Sequence, residues 1–290
     1  MPLSVLRRFS WILTLATFLL IVAGGLVTST ESGLAVPDWP LSYGQFFPPM
    51  IGGIRFEHSH RVIAMIVGLM TIAFAVTVFC LEKRKWVRAL AALAVVAVVL
   101  QAILGAITVI YLLPTAVSVS HACLAQSFFC LVASFMVFFS SEWTSGEKLE
   151  AAYTGSIRRL LIVTFIFAYL QLVLGAIVRH AGGMGVNYHI AVAFLIVLHV
   201  LFIVSKISLE PGTYFKFFKH AVTLGALVLI QIFLGLGAFV FTLVLEKAAM
   251  PRTAEVLFAS AHQSTGALIL AALFTLLLRV FRLLKLPVKT

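Results

Sequence analysis

The hydrophobic positions of this chain neither alternate nor recur every third or fourth residue; they form long unbroken runs. Apolar stretches lie near 10–28, 61–81, 89–113, 117–140, 160–178, 188–207, 221–245 and 257–281. Each approaches or exceeds the roughly 20 residues that carry a helix across the hydrocarbon core. The pattern predicts an all-α integral membrane protein of eight transmembrane helices, with almost nothing left for a soluble domain. Arg7 and Arg8 give the first run the basic flank of a secretory signal, but its length and the lack of a small-residue cleavage site read as a retained first helix.

Within the runs a motif recurs. Gln101-Ala102-Ile103-Leu104-Gly105 in the third segment returns as Gln171-Leu172-Val173-Leu174-Gly175 in the fifth and Gln231-Ile232-Phe233-Leu234-Gly235 in the seventh. The first segment has a related small-residue turn, Ala23-Gly24-Gly25-Leu26-Val27, similar to Leu174-Gly175-Ala176-Ile177-Val178. The spacing predicts two pseudo-symmetric four-helix bundles, residues 1–140 and 158–290. A polar linker, 141–157, carries Glu142, Glu147, Lys148 and Glu150 between them. Repeats of the same direction across an even number of helices relate the halves by an axis along the membrane normal. The glutamines read as interhelical hydrogen-bonding residues, with glycine letting backbones approach closely.

Composition agrees: 62% of residues are hydrophobic and 11% charged, and the mean hydropathy is +1.13. The net charge of +11 would point to nucleic acid in a soluble protein, but its distribution gives it another meaning. With the N-terminus taken as cytoplasmic, 16 of the 21 Lys and Arg fall at inner loops and helix ends, against Arg55, Arg61, Arg179, Lys247 and Arg252 outside. The positive-inside rule then puts both termini in the cytoplasm of a bacterial-type inner membrane. The basicity needs no nucleic-acid partner. Cys80, Cys123 and Cys130 all fall inside apolar runs, so no structural disulfide is expected.

Four histidines carry the chemistry. His60, His121, His189 and His262 each lie near the start of an even-numbered segment, so all four sit at similar depth near the outer surface. Each half supplies one pair, and imidazole is the standard axial ligand of low-spin haem iron. An ionisable ring buried in lipid without a job is costly. The residue four positions after each histidine is Ala64, Ala125, Ala193 or Gly266, small enough on the same helix face to leave room for a flat macrocycle. A zinc site is the competing metal reading. Two histidines on separate helices, with no cysteine and little carboxylate, make a poor closed tetrahedron. His58, His180, His199 and His220 are read as structural residues, with His180 and His220 in loops or helix ends.

The halves differ in one respect. Glu57 stands three residues before His60 and Arg61 one after it, where the second half has Val186 and Ile190 around His189. Only the first pocket therefore has an acid beside its ligand, and Glu57 is the candidate for proton chemistry. Capping the second helix or pairing with Arg61 at i+4 is the structural alternative. Residues 29–57, with Pro37-Asp38-Trp39-Pro40 and Pro48-Pro49, predict a stiff, non-helical lid whose Trp39, Tyr43, Phe46 and Phe47 suit the headgroup level. Arg55, Arg61, Arg179 and Arg252 are outer cations available to haem propionates, Arg61 and Arg179 foremost.

Taken together, these residues resemble the haem A synthases of terminal-oxidase assembly. The resemblance rests on Gly24-Gly25-Leu26-Val27 leading through Ser32-Gly33-Leu34 to Pro37-Asp38-Trp39-Pro40, and on Glu57-His58-Ser59-His60-Arg61. Gln101 to Gly105 with Thr108, Leu113-Pro114, His121, Leu174 to His180, His189 and His262 complete it. It implies oxidation of a methyl group of haem O to a formyl group, by successive hydroxylations with O2 and loss of water. By the same resemblance His189 and His262 hold haem b, His60 and His121 receive the substrate haem, and Glu57 is catalytic. A haem O synthase is the implied upstream partner; the electron donor is unknown, and a homo-oligomer is compatible with the reading. Many relatives carry a cysteine pair in the first outer loop, whereas 29–57 and 179–187 contain none. Thiol-based regulation there is not expected.

The rival from another class is a diheme b-type membrane protein moving electrons from quinol without altering haem. The ligand pattern is compatible with both; the one-sided Glu57 favours the enzyme. A repeat-built transporter would carry discontinuous helices and midplane binding residues, and the chain shows neither signal.

Overall fold

The computed structural model describes residues 2–146, 148–150, 154–209, 211–245 and 252–285. Glu147, Lys247 and Lys289, counted above among the loop charges, lie outside the described residues. The chain forms α1 (Pro2–Ser29), α2 (Ile54–Leu81), α3 (Lys85–Ile110), α4 (Thr115–Phe138), short α5 (Ser141–Ser145), α6 (Thr154–His180), α7 (Val186–Leu209), α8 (Pro211–Phe239) and α9 (Thr253–Leu283). All but α5 are long and apolar enough to cross a membrane, so the chain is a multi-span, all-α membrane protein. A two-residue pairing, β1 (Leu149–Glu150) with β2 (Leu284–Lys285), ties the segment after α5 to the end of α9.

The helices extend beyond the apolar runs at their polar ends. The clearest case is α8, which starts at Pro211, ten residues before the run at 221–245. Lys216, Lys219 and His220 interrupt the apolar pattern but not the helix, because Phe217 among them and Ala221 and Leu224 just after them are fully buried. Proline is at home in a first helical turn, where its missing N–H has no intrahelical role. His220 is therefore an interior residue of α8, not a loop or end residue. His180 does close α6. The linker read at 141–157 is shorter than expected, since α5 opens it and α6 begins at Thr154.

Two apolar cores hold the bundle. One gathers Leu6 and Leu13 of α1, Phe74 and Val78 of α2, Ala91 and Ala94 of α3, and Phe135 of α4. Phe74 meets Phe9 and Phe135 edge to face, with ring centres 5.3 and 5.0 Å away. Alanines three apart on α3 let that helix lie close to its neighbours, the packing that replaces the hydrophobic effect within lipid. The other core draws on Leu161 of α6, Val200 and Ile203 of α7, Leu224 of α8 and Leu273 of α9. Phe129, Cys130 and Ala133 of α4 belong to this second core, while Phe128, Val132 and Phe135 belong to the first. α4 thus divides its faces between the two and is the most enclosed of the eight long helices. Exposed apolar residues such as Phe194, Leu229 and Phe233 face lipid.

Candidate functional site

Each of the four histidines stands on an even member of the eight long helices, and its ring rests on a glycine of the helix before it. A Cβ added at Gly24 would lie 3.1 Å from Cε1 of His60; at Gly105, 3.5 Å from that of His121; at Gly175, 3.0 Å from that of His189; at Gly235, 2.8 Å from that of His262. Any side chain at Gly235 would push the ring away. The repeat read from the sequence as close helix approach is therefore specifically a seat for imidazole. The signal was present: the glycine ends every Q-x-x-L-G copy, but nothing in one helix's sequence says which residue of the next it meets.

The glutamines of the same motif also find the histidines. Gln171 Nε2 lies 3.2 Å from Nε2 of His189, and Gln231 Nε2 lies 3.4 Å from Nε2 of His262. Gln101 Nε2 donates to the backbone carbonyl of His121 at 3.0 Å. These are interhelical hydrogen bonds, as expected, but their targets are the candidate ligands. Nδ1 of His262 faces the carbonyl of Gln231 at 3.2 Å. An Nδ1–H donated there puts the lone pair on Nε2, the tautomer a metal-ligating histidine adopts, and here that nitrogen accepts from the Gln231 amide.

His189 and His262 come together: their ring centres are 6.2 Å apart with the planes at 71°. Two imidazoles bound to opposite sides of one metal ion, with metal–nitrogen bonds of about 2 Å, have ring centres roughly 6 Å apart. The pair fits iron held between two axial ligands. His60 and His121 are close enough to interact electrostatically, with Arg61 beside His60 and His180 beside His121. Nδ1 of His60, His121 and His189 is buried without a hydrogen-bond partner. Among the described residues no three His, Cys, Asp or Glu gather as a metal centre; the histidines come as pairs.

Glu57 is buried in the first turn of α2 and accepts a hydrogen bond from Nε of Arg61 at 3.0 Å. The pairing at i+4 is therefore present. Arg61 does more, donating to the carbonyls of Asp38 at 2.6 Å, Leu41 at 2.7 Å and Val36 at 3.2 Å. Four of its five N–H groups are committed to Glu57 and the outer loop, which gives it a task other than propionate binding. His58 Nδ1 meets Ser42 Oγ at 2.9 Å. The loop before α2 is thus fastened to residues on both sides of Ser59 and His60. Within the loop, Asp38 accepts from the N–H of Gly44 at 2.8 Å and of Tyr43 at 2.7 Å. Those bonds, Gly44's first, hold its carboxyl below the usual range. Trp39, Phe46 and Phe47 are exposed.

Arg179 donates to Ser29 Oγ at 2.5 Å, and Ser260 donates to the same oxygen at 2.8 Å. It stands within electrostatic reach of His262, Glu255 and Glu31. Its Nε is buried without a partner, so one donor of a cation within electrostatic reach of His262 is uncommitted. Arg55 stacks on Phe56 at 4.8 Å, and Arg252 precedes the first turn of α9. His199 bonds the Leu195 carbonyl at 2.7 Å and packs against Phe167, a structural role.

Residues 7–52 and 54–190 match the COX15-CtaA family, described as cytochrome oxidase assembly protein. The match includes Glu57, His60, His121 and His189 and ends before His262. The chain is similar to the Heme A synthase of an Exiguobacterium species, 32% identical over 61% of this chain and 58% of that protein. The Heme A synthase of Bacillus licheniformis is 31% identical over 60% of this chain and 59% of that protein. That of Alkalihalophilus pseudofirmus is 25% identical over 82% and 88%. In the first two comparisons the chain spans under two thirds of its relative's length.

Proposed function

Because the chain belongs to the COX15-CtaA family of cytochrome oxidase assembly proteins, we propose that it is a haem A synthase, an oxidoreductase that converts a methyl group of haem O to a formyl group. In each of two hydroxylations one O2 is consumed. One oxygen atom enters a C–H bond and the other leaves as water, with two electrons and two protons from a reductant. The doubly hydroxylated carbon then loses water to give the aldehyde.

On this reading His189 and His262 hold a resident haem b, and His60 and His121 receive haem O as substrate. Bound haem b would supply one-electron transfer. Gly175 and Gly235 seat the two rings, Gln231 fixes the tautomer of His262, and Arg179 offers a donor to a propionate. Glu57 holds or moves a proton next to the substrate, with Arg61 setting its position and fastening the outer loop. The positive-inside distribution supports cytoplasmic termini and sites near the outer face.

The observation that carries the assignment is an asymmetry. Both halves seat their histidines on glycine, yet only the first has a buried carboxylate one helical turn before its ligand. The second half builds its histidine pair without such an acid, so holding haem does not require it. Expression with and without haem O supply, followed by chromatography of the extracted pigment, tests the proposal. Formyl haem appearing only with haem O supports synthesis. Haem b alone, two per chain under both conditions, would establish the carrier instead.

A further inference from the structure

We propose that a cavity between α1, α4, α8 and α9, at the membrane face opposite the histidine pairs, binds a phosphate-bearing anion supplied by the headgroup of an acidic membrane lipid. The cavity has a volume of about 450 Å³. Arg7 and Trp11 line it from α1, Ser140 from the end of α4, His220 from α8, and Thr275 and Arg279 from α9. They belong to helices that meet at the seam between the two apolar cores, His220 from within α8.

Three features favour an anion with a lipid origin. First, Arg7 and Arg279 reach one cavity from opposite halves, and forked guanidinium donors suit phosphate oxygens. Arg279 is paired with Glu142, yet its Nε stays buried without a partner. Arg282, whose Nε bonds the Trp143 carbonyl, adds positive charge close by, so Glu142 does not neutralise the region. Second, the polar lining lies toward one membrane face, where a basic pocket between helices is a recognised seat for lipid headgroups. Third, Trp11 is 60% exposed on the lipid-facing side of α1, and Met136 and Val137 complete the lining. A glycerol and acyl stem can therefore leave the cavity along apolar surface. Free phosphate would make the same contacts with the arginines but none with that exit.

The full chain, purified in neutral detergent, is incubated with dioleoyl phosphatidylglycerol, dioleoyl phosphatidylcholine or inorganic phosphate. Bound lipid is read by native mass spectrometry and stability by thermal midpoint. Phosphatidylglycerol should stay bound and raise the midpoint, while phosphatidylcholine should not. Arg7→Gln should weaken phosphatidylglycerol retention about tenfold, the effect of losing one charge-assisted bond. Arg8→Gln, outside the cavity, should leave it unchanged. If Arg7→Gln is not monodisperse, Arg7→Lys should fold and retain the lipid better than phosphatidylcholine does. Equal binding of the two lipids, or equal retention in Arg7→Gln and the unaltered chain, would overturn the site. Stabilisation by inorganic phosphate without phosphatidylglycerol binding would overturn the lipid source.

Discussion

Gly235 on α8 and His262 on α9 are in such close register that a Cβ on the glycine would stand 2.8 Å from Cε1 of the imidazole. Real Cβ atoms are not found so near a ring, so Gly235→Ala must turn the histidine off its seat. The equivalent contact at Gly105 is an ordinary 3.5 Å. Gly235→Ala should lower haem bound by the second half several-fold, while Gly105→Ala leaves haem content unchanged. Haem per chain in the purified variants measures both; equal losses would show that the glycines serve helix packing alone.

Arg61 joins the site to the outer loop. Arg61→Ala removes donors from the carbonyls of Val36, Asp38 and Leu41 and strands buried Glu57. Hydrogen bonds to charged groups contribute about 1.5–3 kcal/mol each before relaxation. Limited proteolysis should therefore cut residues 30–53 far faster in the variant than in the unaltered chain. A loop equally resistant in both, with haem lost instead, would make Arg61 a propionate ligand.

Glu57→Gln preserves shape and a hydrogen-bonding oxygen but removes the negative charge. The haem b spectrum should persist while formyl-haem formation falls by two or more orders of magnitude, within the span of general acid–base catalysis at roughly 10²–10⁴-fold. Undiminished conversion would leave Glu57 as a partner of Arg61 only.

At the opposite membrane face, Glu82 lies between α2 and α3. It is a buried carboxylate bound by the Arg84 guanidinium at 2.7 Å and the Arg84 N–H at 2.9 Å. Burial opposes its charge, but Arg84 outweighs burial and holds the carboxyl below its ordinary 4.5. A depressed carboxylate contributes stability that is present above its unfolded value and lost as pH falls through its folded value. The thermal midpoint should thus drop on acidification below about 4.5, and drop less in Glu82→Gln; parallel curves would exclude the linkage.

The architecture was readable because lipid makes apolar length the dominant signal. Eight uninterrupted runs leave few alternatives, and the errors fell where polarity entered a helix, as at Lys216, Lys219 and His220. The closeness of His189 and His262 was also readable, since alternate crossings run in the same direction. What a single sequence withholds is register between helices. Gln171 and Gln231 carried a hydrogen-bonding signal with no address, and Gly24, Gly105, Gly175 and Gly235 a close-approach signal with no partner. Arg61 looked like an outer cation available to a ligand. Its three loop carbonyls come from residues 20 to 25 positions earlier, a contact no local pattern encodes.

Low-temperature electron paramagnetic resonance of the purified oxidised chain, with and without His262→Ala, tests the paired-histidine account most directly. The account predicts a low-spin ferric haem signal of two-imidazole ligation that His262→Ala abolishes or converts to high spin. A low-spin signal identical in the chain and in His262→Ala would contradict it.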